Sequence, residues 1–156
     1  MKNTHLLTLI AVLFLQGCAS KSDSEMAVEN MLDGLQWAVE AQNLEGVLTH
    51  FTDQAEVVFD YPPILGGSMD IDIDEYGKML ELAWKMPADY TYEVSDISIV
   101  MSADGTQATV TDRVNETISM QGQLMMSTET LETLDIEIIN GIAKITRLHG
   151  VAEIDM

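Results

Sequence analysis

Hydrophobic residues recur at helical spacing in three segments of the chain. The first segment follows Ser24, a residue that can cap a helix, and predicts an amphipathic helix reaching about residue 43. The second predicts a shorter helix ending near residues 52–53, and the third runs from Asp74, its expected cap, to Pro87. The apolar positions of the three helices are, in order, Val28, Leu32, Leu35 and Val39; Val47, Leu48 and Phe51; and Tyr76, Met79, Leu80, Ala83 and Trp84.

Alternating apolar and polar residues predict strands in the remainder of the chain. A strand at residues 55–59 is stopped by the Pro62-Pro63 pair, since proline cannot donate to a ladder. Apolar residues then alternate from Tyr90 to Val94 and, in the opposite phase, from Ile97 to Met101. This change of phase predicts a β-bulge near residues 95–96.

Tight turns divide the C-terminal half into hairpins. Asp104-Gly105 and Asn140-Gly141 are strong hairpin turns, and between them strands at residues 106–121 and 124–139 meet at Gly122. A last strand covers residues 142–149. Because helices and strands are segregated along the chain, the pattern predicts an α+β domain, with three N-terminal helices packed on a strongly curved, mainly antiparallel sheet.

The first residues have the pattern of an export signal. Lys2 precedes an apolar stretch from Leu6 to Leu15, which is too short to span a bilayer but suits a signal peptide. Leu15-Gln16-Gly17-Cys18 then resembles the lipobox of bacterial lipoproteins, and Cys18 is the only cysteine of the chain. We therefore expect a signal peptide at residues 1–17, lipidation of Cys18, a tether at residues 18–23, and one domain at residues 24–156.

Lipidation would place the protein in the bacterial cell envelope, with the membrane as its partner through the anchor on Cys18. By resemblance to lipoproteins with alanine after the cysteine, Ala19 points to the outer membrane, with the domain facing the periplasm. The net charge of −19 makes nucleic acid an unfavourable partner, because phosphate backbones are repelled.

The order of elements is similar to that of a known superfamily. The segment from Glu40 to Phe51, followed by Asp53-Gln54-Ala55-Glu56-Val57, resembles the helix-to-helix junction and first strand of the nuclear transport factor 2-like superfamily. SnoaL-like proteins and ketosteroid isomerases belong to it. The resemblance covers nearly all of the chain after Ser24 and implies a cone whose curved sheet and helices enclose a pocket. Since such cones host many activities, the fold alone does not give the function.

Ketosteroid isomerase-like catalysis would need a carboxylate base, and a tyrosine and a protonated aspartate to stabilise an enolate. By the resemblance, Asp60 lies close to the position of the base and Asp135 near that of the oxyanion acid, but Leu35 occupies the position of the tyrosine. Alternation also places Leu134 and Ile136 on the buried face, which turns Asp135 outward. Asp60 is alternatively a solvated turn residue.

A second candidate lies in the strand from Val110 to Met120. Asp112 and Glu116 share a face with Val110, Val114 and Ile118, so both carboxylates point into the cone if that face is its lining. Burial would raise their pKa and suit them to acid or base work. The favoured alternative is a wet cone mouth in which these acids face water.

Several apolar and aromatic side chains are expected to line the pocket: Leu35, Trp37, Tyr61, Trp84, Met120 and Leu148. The eleven methionines favour a pliable lining for an apolar or amphiphilic ligand, or ordinary core filling. His50 and His149 have no companion at metal-ligand spacing, so we expect no zinc site and no cofactor.

Three functions remain open at this point. The first is a lipid-anchored, non-catalytic module that binds a small apolar ligand or serves as an accessory protein. The second is an isomerase or hydrolase that uses Asp60, Asp112 or Glu116 as catalytic residues. The third is a structural protein that forms a homodimer through its exposed sheet.

Overall fold

The computed structural model describes residues 21–155, in which three α-helices pack against one curved, six-stranded sheet. The signal peptide and the lipidated Cys18 predicted from the sequence lie outside the described residues. The helices are α1 Asp23–Glu40, α2 Leu44–Leu48 and α3 Ile73–Trp84, and a short 3-10 helix covers Pro63–Leu65. The strands are β1 Phe51–Asp60, β2 Ser68–Asp72, β3 Asp89–Met101, β4 Gln107–Met120, β5 Gln123–Ile139 and β6 Ile142–Asp155.

The strands lie in the order β2-β1-β6-β5-β4-β3. Strands β3 to β6 form the predicted antiparallel meander, whereas β1 joins it by pairing parallel to β6. Helix α1 contacts β6, β5 and β3, and α3 contacts β1 and β2, so the helices cover one face of the sheet. The α+β architecture predicted from the sequence is therefore confirmed.

Both long helices begin two residues earlier than predicted. The Ser22 hydroxyl accepts from the Glu25 amide at 3.1 Å and caps α1, in place of Ser24. The Asp72 carboxylate likewise accepts from the Glu75 amide at 2.8 Å and caps α3, in place of Asp74. In each pair the earlier residue has the extended backbone that a cap requires, and the later residue lies inside the helix.

The prediction that Phe51 belongs to the second helix is wrong. Helix α2 ends at Leu48, and Phe51 begins β1, where it pairs with Ile145 of the parallel strand β6. The Ile145 amide donates to the His50 carbonyl at 2.8 Å, and this long-range bond fixes the start of the strand. Strand β2, which pairs with β1 at the edge of the sheet, lies in a segment to which the sequence pattern assigned no element.

The predicted bulge and turns are present. The β3–β4 register shifts between Ser95 and Ser98, and Asp96 has a φ of 55°. Gly105, Gly122 and Asn140 also have positive φ, as the hairpin turns require. Because the bulge preserves the alternation on both sides of it, Tyr90, Tyr92 and Ile99 all pack towards the hydrophobic core.

The core lies between α1 and the inner face of the sheet. Its fully buried side chains come from every layer: Val28, Val47, Val57, Val110, Leu134 and Ile145. Among residues 21–155, no helix combines the length and apolar character needed to cross a bilayer. An unfilled part of the space between the helices and the sheet forms the candidate site.

Candidate functional site

A cavity of about 300 Å³ opens between the helices and the inner face of the sheet. Helices α1 and α3 supply one wall, and strands β1, β3, β4, β5 and β6 supply the other. Most of its surface is apolar or aromatic. The lining residues are Leu35, Val39, Phe51, Phe59, Tyr61, Tyr76, Met79, Leu80, Tyr90, Tyr92, Glu116, Met126, Thr128, Thr130, Glu132, Leu148 and Ala152.

The carboxylates reach this region because of strand alternation. On β4, Val110 and Val114 are fully buried, so Asp112 and Glu116, which lie two residues from one or the other, face the same way. On β5, the same reasoning from buried Leu134 places Glu132 on the inner face. The two strands pair with Asp112 directly opposite Glu132, which brings three acids together over two adjacent strands.

Glu116 lines the cavity and accepts a hydrogen bond from the Tyr90 hydroxyl. Tyr90 lies on β3, diagonally across from Glu116, whose direct partner on that strand is Tyr92. Burial raises the pKa of Glu116, and the Tyr90 bond lowers it in part by favouring the ionised form. The carboxylate is therefore held in a fixed position inside the cone.

Glu132 lies at the boundary between this cavity and a smaller one. Burial, with added repulsion from Asp112 and Glu116, raises the pKa of Glu132 to about 8. A carboxyl group with this pKa is mostly protonated at neutral pH and can donate a hydrogen bond into the cavity.

Asp112 is 8% exposed and lies in the smaller cavity, of about 30 Å³, which is enough for one water molecule. Its Oδ1 is buried, and within the described part of the chain this atom has no hydrogen-bond partner. Desolvation raises the pKa of Asp112 to about 6. Leu35, Tyr92 and Glu132 line both cavities, so Asp112 is separated from the larger one by a single layer of side chains.

Four tyrosines surround the acids. Burial and the neighbouring carboxylates raise the pKa of Tyr76, Tyr90 and Tyr92, and to a smaller extent that of Tyr61. All four hydroxyls are therefore neutral at physiological pH and can donate hydrogen bonds. The cavity thus combines apolar walls with neutral donors and carboxyl groups of raised pKa, which is the composition of a small-molecule site.

Asp60 is not brought to this cavity. Val57 and Phe59 face inward on β1, so Asp60 projects from the outer face of the sheet, where its Oδ2 lies 2.8 Å from His149 Nε2. The hydrogen bonds from His149 and Ser68 lower the pKa of Asp60. A carboxylate with a lowered pKa is a weak base, and the structure separates Asp60 from Asp112 and Glu116.

Of the six side chains predicted to line the pocket, the structure places Leu35, Tyr61 and Leu148 in the cavity wall. Trp37 is instead 65% exposed, because it follows Val28 by nine residues and so lies on the opposite side of α1. Trp84 packs against the core from the last position of α3, outside the cavity lining. Met120 is 40% exposed at the end of β4, next to the Gln121-Gly122 turn.

Sequence analysis did not identify Glu132, Tyr76, Tyr90 or Tyr92 as site residues. Counting back by two from Leu134 gives Glu132, Thr130 and Thr128, so the alternation of β5 could have found all three. The convergence of Tyr61, Tyr76, Tyr90 and Tyr92 has no such signal, because these residues come from separate elements. Among the described residues, no group of three or more histidine, cysteine, aspartate or glutamate side chains is arranged to hold a metal ion.

Comparison with known proteins gives similarity at the level of structure. No family model matches the sequence, and no curated protein matches it. An NTF2-like protein of unknown function from Pseudomonas putida superposes with a TM-score of 0.67 and 12% identity, over 87% of this chain and 91% of that one.

Two solved structures with enzyme names are also similar. A provisionally assigned scytalone dehydratase from Novosphingobium aromaticivorans has a TM-score of 0.67 and 18% identity, over 83% of this chain and 85% of its own. A hexachlorocyclohexane dehydrochlorinase from Novosphingobium barchaimii has a TM-score of 0.63 and 14% identity, over 83% and 86% of the respective chains. These similarities, together with the curved sheet and its helices, show that the chain has the fold of the nuclear transport factor 2-like superfamily.

Proposed function

We propose that this protein is a non-catalytic module that binds a small molecule with an apolar body in the tyrosine-lined cavity. The observation that carries the proposal is the composition of the cavity wall. Apolar and aromatic side chains surround about 300 Å³ of space, and a few polar groups are gathered on β4 and β5. Small-molecule sites have this design, since apolar surface supplies affinity and few polar groups set orientation.

The ligand would lie with its apolar part against Leu35, Met79 and Leu80 of the helices. Its polar part would face Glu116 and Glu132, next to the threonines Thr128 and Thr130. The size of the cavity is at the lower end of the range for such sites, so it suits a compact ligand.

The protein would perform this role at the cell envelope. A lipid on Cys18 would hold the domain at a membrane, most naturally the inner surface of the bacterial outer membrane, with Ala19 as the sorting residue. Two or more acyl chains give stable anchoring where one does not. The short segment between Cys18 and the cap of α1 at Ser22 would then keep the start of the domain close to the lipid surface.

Native mass spectrometry tests the binding proposal. The protein is purified without added ligand, and its mass under native conditions is compared with its mass after denaturation. A reproducible extra mass of a few hundred daltons that disappears on denaturation supports the proposal and gives the chemical class of the ligand. An Ala152→Leu variant, which fills part of the cavity, should lose that extra mass while remaining folded. Retention of the same mass by the variant would place the ligand elsewhere.

Acid–base catalysis is a second candidate, favoured by one observation. Glu132, with a pKa raised to about 8, and Glu116, held by Tyr90, provide a proton donor and an acceptor in one apolar cavity. A dehydratase and a dehydrochlorinase among the similar structures make elimination substrates the first to screen.

Any activity found should be compared among Asp112→Asn, Glu116→Gln and Glu132→Gln variants. Asp60→Asn is the matched control, because Asp60 lies on the outer face of the sheet. Loss of activity in the cavity variants alone would support catalysis. Activity that is insensitive to all three changes would rule out these carboxylates as catalytic groups.

A further inference from the structure

The acidic side chains of the cavity have no basic counterpart. Glu116 and Glu132 line it, Asp112 lies behind Glu132, and none of the described lining residues is lysine, arginine or histidine. Ionised carboxylates in such a place are costly unless a cation compensates them. Among the described residues, no side chain of the cavity wall can supply such a cation.

The second observation is the set of aromatic rings in the same wall. Phe59 stacks on Tyr61 with ring centroids 5.9 Å apart, and Tyr76 lies 5.7 Å from Phe51 and 6.3 Å from Phe59. Tyr90 and Tyr92 add two more rings to the wall. The faces of aromatic rings carry negative charge density and attract cations, and groups of such rings are the usual cages for ammonium ligands.

The third observation is the orphaned oxygen of Asp112. This side chain is more than nine-tenths buried, and its Oδ1 has no partner among the described residues. It lies opposite Glu132 on the neighbouring strand, so negative charge on Asp112 adds to the potential at Glu132. Negative charge on Asp112 therefore raises the pKa of Glu132, the carboxyl group that faces the larger cavity.

We infer that the ligand of this cavity is an organic cation, whose ammonium group is bound by Glu116 and Glu132 and whose apolar body packs against the aromatic rings. This inference rests on the proposed binding function and specifies its ligand class. The ammonium donates hydrogen bonds to the two carboxylates and replaces the cation that the wall lacks. The tyrosine rings contribute the attraction of their faces, and Leu35, Met79 and Leu80 cover the rest of the ligand.

Binding of such a cation should release protons. In the free protein Glu132 is mostly protonated at neutral pH, whereas the bound ammonium favours its ionised form. The amine should thus bind more tightly as the pH rises from about 6 to about 9, a range in which a simple alkylamine remains charged. The titratable groups facing this pair of glutamates from the surrounding elements are Asp33 on α1, Tyr61 after β1, Tyr76 on α3, Tyr90 and Tyr92 on β3, and Asp112 on β4.

Three probes of nearly equal size separate the possible ligand classes: phenethylamine, phenethyl alcohol and phenylacetate. Each is titrated by calorimetry into the full-length protein, produced with its own leader and purified in detergent. The expected result is that the amine binds at least about tenfold more tightly than the alcohol, whereas phenylacetate does not bind. Repeating the titration in buffers of different ionisation enthalpy should show proton release with the amine only.

Matched variants test which residues cause the preference for the amine over the alcohol. Glu132→Gln and Glu116→Gln should each reduce the preference for amine over alcohol and the proton release, while the affinity for the alcohol changes little. Glu137→Gln is the control, because Glu137 is exposed on the same strand, outside the cavity lining. The same detergent is used throughout, so partitioning of the probes into micelles is equal for all variants.

The outcomes also separate this inference from the proposed function. If the alcohol binds as tightly as the amine, the cavity binds small molecules without selecting cations, and the inference fails while the binding function stands. If none of the three probes binds in the full-length protein, both fail. An amine preference that persists unchanged in both glutamine variants would contradict the assigned site.

Discussion

Asp112 on β4 lies directly opposite Glu132 on β5, and both carboxyl groups face the interior of the cone. Burial raises the pKa of both carboxyl groups, and repulsion from Asp112 adds to the rise at Glu132. A fold selected only for stability would place apolar residues here, as it does at Val110 and Leu134 in the same strands. This arrangement has consequences for stability that can be measured separately from ligand binding.

Asp112 should make the protein less stable as the pH rises. Its pKa is about 6 in the folded state and 3.8 in the unfolded state, so between these values the folded protein binds more protons. Stability from this group is fully present below about pH 4 and is lost as the pH rises through about 6. The shift corresponds to a loss on the order of 3 kcal/mol in the free energy of unfolding.

Chemical denaturation of wild-type and Asp112→Asn protein between about pH 4 and about pH 7 measures this effect. The variant should show a flatter pH dependence. Asp89→Asn, at an exposed position at the start of β3, is the control and should follow the wild type. Parallel curves for the wild type and Asp112→Asn would contradict the burial of the charged group.

Tyr90→Phe should raise the pKa of Glu116. The Tyr90 hydroxyl donates to the Glu116 carboxylate and lowers its pKa against the larger effect of burial, so removing the hydroxyl leaves burial unopposed. Carboxyl-carbon NMR titration of isotope-labelled protein measures this change directly. Tyr92→Phe is the matched control, since Tyr92 lines the same cavity and pairs with Glu116 without a hydrogen bond from its hydroxyl. An equal shift in both variants would show that lost polarity, rather than the specific bond, sets the pKa.

The sequence predicted the order of elements well because the determining interactions are local. Alternation located the four strands of the meander, and the change of phase after Val94 located the bulge at Asp96. Cap positions were predicted less well, since Ser22 and Ser24 are equivalent candidates until the first turn is in place. The start of β1 at Phe51 depends on parallel pairing with β6, which lies over ninety positions away in the chain.

The candidate site was predicted only in part for a similar reason. Alternation with the apolar valines beside them places Asp112 and Glu116 on the inner face of β4. Whether water reaches that face depends on which side chains of other elements pack over it. Leu35 and Tyr92 cover it from α1 and β3, and no local pattern shows this. Trp37 was expected to line the pocket, but its position along the helix, nine residues after Val28, puts it on the opposite side of α1, where it is 65% exposed.

Cys18 should carry a lipid in the protein recovered from bacterial membranes. Cys18 is the only cysteine and follows the lipobox-like Leu15-Gln16-Gly17, so a thioether-linked diacylglyceryl group is expected on its sulfur. Mass spectrometry of the intact protein should show the added mass and the loss of residues 1–17. A Cys18→Ala variant should retain its leader and lack the lipid. A wild-type protein with a free thiol at Cys18 would contradict the proposed anchoring.

The central claim, that a small molecule binds inside the cone, is tested most directly by NMR of the methionine methyl groups. Met79 and Met126 line the cavity, whereas Met120 and Met125 are 40% and 53% exposed, so the chain contains its own internal control. Protein labelled at its methionine methyl groups is titrated with phenethylamine. The resonances of Met79 and Met126 should shift and saturate together while those of Met120 and Met125 remain in place. Saturable shifts at the exposed pair alone, or unchanged Met79 and Met126 resonances up to millimolar probe, would contradict the claim.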